Sequence, residues 1–319
     1  MYIIIFLSLL SAAFSLERID ILKTFPKRNI PSQVKMIDEI YVINLDSRKE
    51  KMEKMEQRLG FYGIVPYRFS AIIGSKIALD QLNIIGSKLP EARRDGPVKV
   101  DFKRGAVHSS KIGTNTPVFY PHITQGALGC TLSHLSILKN AQDNDYNYIW
   151  VLEDDVVFLK DPRKIHEDIE KLDALVGEEN WDILYMDDFN ASVANFYRMD
   201  LGSVFLDYLK FNRTLPSNKI ALFYEKQKRI SYHKYLSKSD LLFPQSIPSC
   251  YGRFRKNTVR YGTYSMIIKK TGITKILHFY EKRGVFLPYD DELSLIPELN
   301  TYNVVDPYVR VETEITDTR

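Results

Sequence analysis

Residues 149–157 read Ile-Trp-Val-Leu-Glu-Asp-Asp-Val-Val. Four apolar residues of strand character run into three consecutive carboxylates. Burying such a cluster unpaired is costly, but it is tolerable at the C-terminal end of a central strand, where α/β sheets place their ligand crevices. The run therefore predicts an α/β sheet with a ligand edge at residue 153. Strand alternation would send Glu153 and Asp155 to one side and Asp154 to the other. A hard divalent cation, Mn²⁺ or Mg²⁺, takes oxygen ligands of this kind and fills its shell with phosphate oxygens. The alternative is a solvated acidic turn that caps the next helix.

The flanking sequence repeats the strand–helix theme. Upstream, Ile40-Tyr-Val-Ile-Asn-Leu45 is a β-rich run, and Asp46 or Ser47 is placed to cap a helix ending near Leu59. Met52, Met55 and Leu59 fall on one face of that helix, and Gly60 stops it. A second strand is expected over 65–73, a long surface loop over 86–125 and a helix over 132–141. Downstream, Asp161-Pro162 opens a helix whose buried stripe is Ile165, Ile169, Leu172 and Val176. A strand over 181–186 again ends in acids, Asp187 and Asp188; a late strand spans 265–268 and a helix 271–280. The reading is a single α/β domain in which residues 189–254, aromatic and basic, form an insertion or lid.

Composition narrows the function. Among 319 residues, 44 Lys and Arg stand against 40 Asp and Glu, too small an excess to mark a nucleic-acid surface, so no nucleic-acid partner is expected. With only Cys130 and Cys250, a disulfide scaffold and a cysteine-based zinc site are excluded, while one bridge is allowed. Residues 1–15 form an uncharged apolar segment, shorter than the roughly 20 residues a spanning helix needs. They read as a signal peptide cleaved near Ser15, or else as a first strand or membrane-associated helix. The first reading puts the protein in a secretory lumen or periplasm, the last in the cytoplasm with possible membrane-surface association. Residues 16–36 read as a linker, 37–310 as the domain and 311–319 as a tail. Asn190 and Asn212 sit in glycosylation sequons.

Four segments, in order, resemble glycosyltransferase family 25, the transferases related to bacterial lipopolysaccharide and lipooligosaccharide galactosyltransferases and to collagen β-galactosyltransferases. They are Val42-Ile-Asn-Leu-Asp-Ser-Arg48, Gly126-Ala-Leu-Gly-Cys-Thr-Leu-Ser-His134, Leu152-Glu-Asp-Asp-Val156, and Tyr261-Gly-Thr-Tyr-Ser-Met-Ile-Ile268 leading to Leu287-Pro-Tyr-Asp-Asp-Glu-Leu293. The resemblance implies a GT-A-like nucleotide-binding mixed sheet flanked by helices, a UDP-hexose donor such as UDP-galactose, a manganese or magnesium cofactor, and inversion at the sugar carbon. The acceptor it implies is a glycan, a lipid-linked saccharide or a hydroxylysine-type protein side chain. On this resemblance Asp155 is the first-choice metal ligand, with Glu153 and Asp154 sharing metal, ribose or water contacts and Glu153 the second metal candidate. Asn44, Arg48, Gly126, Gly129, Ser133, His134, Glu153 and Asp154 are donor-site candidates. Asp290 is the candidate base, with Asp291 its close rival. Gly126 and Gly129 are expected to allow close backbone approach, with Ser133 and His134 opening the helix behind them. His134 is expected to be a hydrogen-bonded structural donor and Cys130 a packing residue. The rival class is a catalytically silent sugar- or nucleotide-binding protein; a phosphoryl transferase would want a Gly-Lys-Ser/Thr loop, which the chain lacks.

Overall fold

The computed structural model describes residues 18, 20–88, 97–101, 106–111, 117–119, 123–187, 250–257, 260, 262–293, 296 and 298–312. Its strands are β1 (Glu39–Asn44), β2 (Tyr67–Ser70), β3 (Ser87–Lys88), β4 (Pro97–Asp101), β5 (Ala106–Lys111), β6 (Pro117–Val118), β7 (Tyr148–Glu153), β8 (Val156–Phe158), β9 (Ile183–Tyr185), β10 (Cys250–Tyr251), β11 (Phe254–Lys256), β12 (Ser265–Lys269), β13 (Thr301–Val304) and β14 (Val309–Val311). The helices are α1 (Lys49–Gly60), α2 (Leu79–Ile85), α3 (Gln125–Asp143), α4 (Ile165–Val176), α5 (Lys270–Arg283) and α6 (Tyr289–Leu293). Eight strands form one mixed sheet in the order β10-β11-β13-β9-β12-β7-β1-β2. β1 runs parallel to β2 and β7, while β12 runs antiparallel to both β7 and β9. The carboxyl ends of β1, β7 and β9 therefore share one edge with the amino end of β12.

Alternation along the strands builds two cores. Tyr41, Ile149, Val151, Ile183 and Ile268 face α3 and α5, where they meet Leu128, Leu135, Ile273 and Ile276. Ile40, Val42, Trp150, Leu152 and Leu184 face the other way, onto Met52 and Met55 of α1 and Ile165 and Ile169 of α4. Cover on both faces is why the central strands read as continuous apolar runs. It also fixes the phase of β7: after Ile149 and Val151, the next side chain on the α3 face is Glu153.

Several boundaries differ from the sequence reading, each for a local reason. Asp46 does not cap α1; Arg48 is the N-cap residue and makes no side-chain cap bond. The Asp46 carboxylate accepts instead from Arg68 Nη2 at 2.7 Å and Ser70 Oγ at 2.9 Å, because β2 brings a charged donor within reach. Residues 20–36 are not a free linker: Leu22 and Val34 are buried, and Phe25 packs on Tyr41, Tyr67 and Phe69. Within 86–125, short strands β3 to β6 pair as two ribbons. A third ribbon, β8 with β14, carries the chain away from the acidic turn and runs one residue past the expected domain end. No helix among the described residues is long and apolar enough to cross a membrane. The expected signal segment, both sequons, Asp188 and residues 189–249 of the insertion lie outside the described residues.

Candidate active site

The three carboxylates do not alternate as a strand. β7 ends at Glu153, and Asp154 and Asp155 form the turn into β8. That turn is held from both sides: the Asp155 carbonyl accepts from Glu312 N at 2.8 Å, and Arg58 Nη1 donates to the Val156 carbonyl at 2.7 Å. Asp154 belongs to the β1 end. Asn44 Nδ2 donates to its Oδ2 at 2.7 Å and to the Arg48 carbonyl at 2.9 Å, and Lys51 Nζ lies 3.6 Å from its Oδ1. Arg68 Nε in turn donates to Asn44 Oδ1 at 2.9 Å. Asn44 and Asp154 are thus brought together, whereas the Arg48 guanidinium stands 4.0 Å from Glu50 on the exposed side.

Glu153 sits among acids. Burial pushes its carboxyl up to about 8, and the charges of Asp155, Asp290 and Asp154 add to the rise, while the hydrogen bond from Thr263 opposes it. Thr263 Oγ1 donates to Glu153 Oε1 at 2.7 Å. A divalent cation at this edge would offset the repulsion among these carboxylates, so the residues fit a hard-cation site.

Asp290 reaches the same cluster from α6. Its Oδ2 accepts from Gly262 N at 2.8 Å, and Gly262 holds φ +76, a left-handed conformation that favours glycine. A β-carbon there would stand 2.3 Å from the Tyr264 ring. Burial raises the Asp290 pKa, against the lowering effects of the Gly262 bond and the Arg260 charge. Asp291 follows it on the same short helix. Behind them Arg260 pairs with buried Asp187, donates to Asn303 Oδ1 at 2.9 Å and covers the Tyr185 ring at 3.9 Å.

The glycine motif lies inside α3, not ahead of it. Thr124 caps the helix, its Oγ1 accepting from Ala127 N at 3.0 Å, so the helix starts at Gln125 and Ser133 and His134 fall near its middle. The close approach at Gly129 is to the chain itself: a β-carbon there would lie 2.4 Å from the Ile72 carbonyl oxygen and 2.8 Å from Gly74 N. Ser133 Oγ donates to the Gly129 carbonyl at 2.7 Å and accepts from Ile72 N at 2.8 Å, locking the same contact. Gly126 sits in the first turn.

His134 departs from expectation. It is 1% exposed and stacks on Tyr289 at 4.5 Å, yet neither ring nitrogen has a hydrogen-bond partner among the described residues. Burial lowers its pKa to about 3, which leaves it neutral. Cys130, one turn earlier, is a free cysteine among the described residues, and burial, with the charges of Glu153 and Asp290, raises its thiol well above the usual range. Ligand atoms of Cys130, His134 and Glu153 all lie within 4.8 Å of one another. The cysteine count excluded zinc only for a site made of cysteines; a mixed donor set needs just one. The available signal was the four-residue spacing of Cys130 and His134 on a helix, together with the odd phase of Glu153. The Arg260–Asp187–Asn303 cluster and Lys51 carried no such signal.

A model of glycosyltransferase family 25 (LPS biosynthesis protein) matches residues 37–293. Procollagen galactosyltransferase 2 of Homo sapiens is 23% identical over 229 residues, covering 64% of this chain and 33% of that protein. Its Mus musculus counterpart is 27% identical over 153 residues, 47% of this chain and 20% of the relative. A glycosyltransferase 25 family member of Drosophila melanogaster is 28% identical over 123 residues, 38% of this chain and 16% of the relative. The chain spans a third or less of the length of these relatives.

Proposed function

The chain belongs to glycosyltransferase family 25, and from that premise we propose that it transfers a hexose, galactose from UDP-galactose foremost, to a saccharide or hydroxylated acceptor with inversion at the sugar carbon. The observation that carries the reading is the meeting of Glu153, Asp154 and Asp155 with Asp290 at one sheet edge. The shared strand ends support a GT-A-type nucleotide-binding sheet. Asp155 and Glu153 are the residues that would hold Mn²⁺ or Mg²⁺. Bound there, such an ion supplies neutralisation of the charge that develops on the diphosphate as UDP leaves.

The protein's own groups do the rest. Asn44 and Lys51 fix Asp154 at the mouth of the nucleotide side. Asp290, oriented by the Gly262 amide, takes the proton of the acceptor hydroxyl as its oxygen bonds the sugar carbon and the carbon–phosphate oxygen bond breaks. Asp291 is the neighbouring alternative for this role. The pairing of a base with the face opposite the leaving group gives the inverted product. Acceptors to be screened are glycans, lipid-linked saccharides and hydroxylysine peptides. Residues 1–15, as a signal peptide, would place this reaction in a secretory lumen or periplasm.

The test is calorimetric titration of UDP-galactose and UDP-glucose into the purified chain, with and without Mn²⁺. Metal-linked binding that is lost in Asp155→Ala is the expected result. Asp290→Asn should keep donor binding and lose about 10²–10⁴-fold in turnover. A folded protein that binds neither nucleotide with metal present would sink the UDP-hexose reading and favour a silent binding protein.

A further inference from the structure

We infer that Cys130, His134 and Glu153 form a second cation site, one that takes a zinc-class divalent ion; it shares Glu153 with the oxygen site assigned above and differs from it in not using Asp155. The site is built by two regular elements. Positions 130 and 134 are one turn apart on α3 and so project from one helix face. The alternation of β7 carries Glu153 to the side of the sheet that α3 covers, after Ile149 and Val151. The sulfur, a ring nitrogen and a carboxylate oxygen consequently stand within 4.8 Å of one another. Tetrahedral zinc, with bonds of about 2.0–2.3 Å, holds such atoms about 3.5 Å apart. Binding would draw the three side chains together from their present spacing.

A second observation points to a ligand. His134 is 1% exposed, and both ring nitrogens lack a protein partner among the described residues. A buried imidazole without a partner forfeits its desolvation cost, and a metal ion between Cys130 and Glu153 would restore one. The ring plane is set by the stack on Tyr289. Thr263 Oγ1, 2.7 Å from Glu153 Oε1, steers the carboxylate in the way outer-layer donors steer metal ligands. Chemistry then selects the ion. Thiolate and imidazole suit zinc, whereas magnesium and manganese prefer all-oxygen shells such as Asp155 and its neighbours offer. Three protein donors leave a fourth position open. The inference goes beyond the sugar-transfer reading and stands whether or not the protein transfers a hexose.

The experiment uses the full chain, reduced and stripped of metal, titrated with Co²⁺ and followed by absorption. Expected are the visible bands of tetrahedral cobalt and a thiolate-to-cobalt charge-transfer band that saturates at one ion per chain, both displaced by Zn²⁺. Cys130→Ser, nearly isosteric, should remove the charge-transfer band and weaken binding at least about tenfold, while circular dichroism shows the fold retained. Asp155→Ala should keep both the band and the affinity. A folded protein that shows no thiolate band would overturn the assignment. So would a band that survives Cys130→Ser, which would belong to Cys250, or cobalt binding that disappears in Asp155→Ala, which would belong to the donor site. Loss of metal-linked nucleotide binding in Asp155→Ala, with the cobalt band intact, separates failure of one reading from failure of the other.

Discussion

Replacing Gly129 by alanine should destabilise the protein even though alanine is the better helix former. Gly129 lies inside α3, where the exchange alone would gain about 0.8–1 kcal/mol. Its new β-carbon, however, would stand 2.4 Å from the Ile72 carbonyl oxygen, 2.8 Å from Gly74 N and 3.3 Å from Gly74 Cα. All three are backbone atoms, so no rotamer change relieves the clash; the helix or the 72–76 segment must move. Gly74 has the reciprocal problem, its β-carbon falling 1.7 Å from the Gln125 carbonyl oxygen. Overpacking of this kind costs about 1–3 kcal/mol, and parting the two segments stretches the Ile72 N to Ser133 Oγ bond, worth about 1 kcal/mol more. The net expectation is a loss of about 1–3 kcal/mol, seen as a lower urea midpoint and a Tm reduced by about 2–4 °C for each kcal/mol. Gly60→Ala is the control: nothing lies within 4 Å of its added carbon, so it should be neutral or slightly stabilising. A Gly129→Ala protein as stable as wild type would refute the backbone-contact argument.

Three further outcomes are expected. Arg260→Met strips a buried partner from Asp187 and should cost about 3–5 kcal/mol in chemical denaturation; a loss below about 1 kcal/mol would show the pair to be solvated. Asn44→Ala removes the donor to Asp154 and to the Arg48 carbonyl and the acceptor for Arg68; about 1–3 kcal/mol of stability should go with it, together with weaker metal-linked donor binding by calorimetry. Glu292 is buried, and burial pushes its carboxyl up to about 8 from 4.5. Its native pKa is raised, so the stability tied to the protonated form is complete below pH 4.5 and lost as pH climbs toward 8. Glu292→Gln should abolish that decline, gaining on wild type by up to about 5 kcal/mol across the window; parallel stability profiles for the two proteins would contradict it.

The sequence announced the sheet through its apolar runs because burial on both faces leaves no other composition for β1, β7 and β12. It announced the acidic edge for the same reason: Glu153, Asp154 and Asp155 have no place inside a covered sheet. Side-chain direction was another matter. Alternation predicts a continued strand past Glu153, whereas the chain turns at Asp154, where the pairing of β8 with β14 and the Arg58 bond to the Val156 carbonyl hold the turn. The sequence puts the start of α3 seven residues late because Gly126 and Gly129 argue against a helix locally, while capping by Thr124 and the packing on Gly74 override that preference. The Cys130–His134–Glu153 group depends on how α3 lies across β7, a tertiary fact that spacing along the chain only half encodes. The same holds for Arg260, which finds Asp187 and Asn303 from far away in sequence.

The hold on the Asp155 carbonyl by Glu312 has a consequence for biosynthesis. The acidic turn is synthesised well before the strand that braces it, since β14 is the last described element in chain order. β12, which pairs with β7 directly, also arrives late. At about 5–20 residues per second, the interval is on the order of ten seconds or more. Throughout it the nascent chain carries three adjacent carboxylates without the brace of β14, and until β12 is made their strand lacks one of its two neighbours. Completion of the acidic edge is thus coupled to synthesis of β14, so a product that stalls before residue 312 would emerge with its acids present and its turn unbraced.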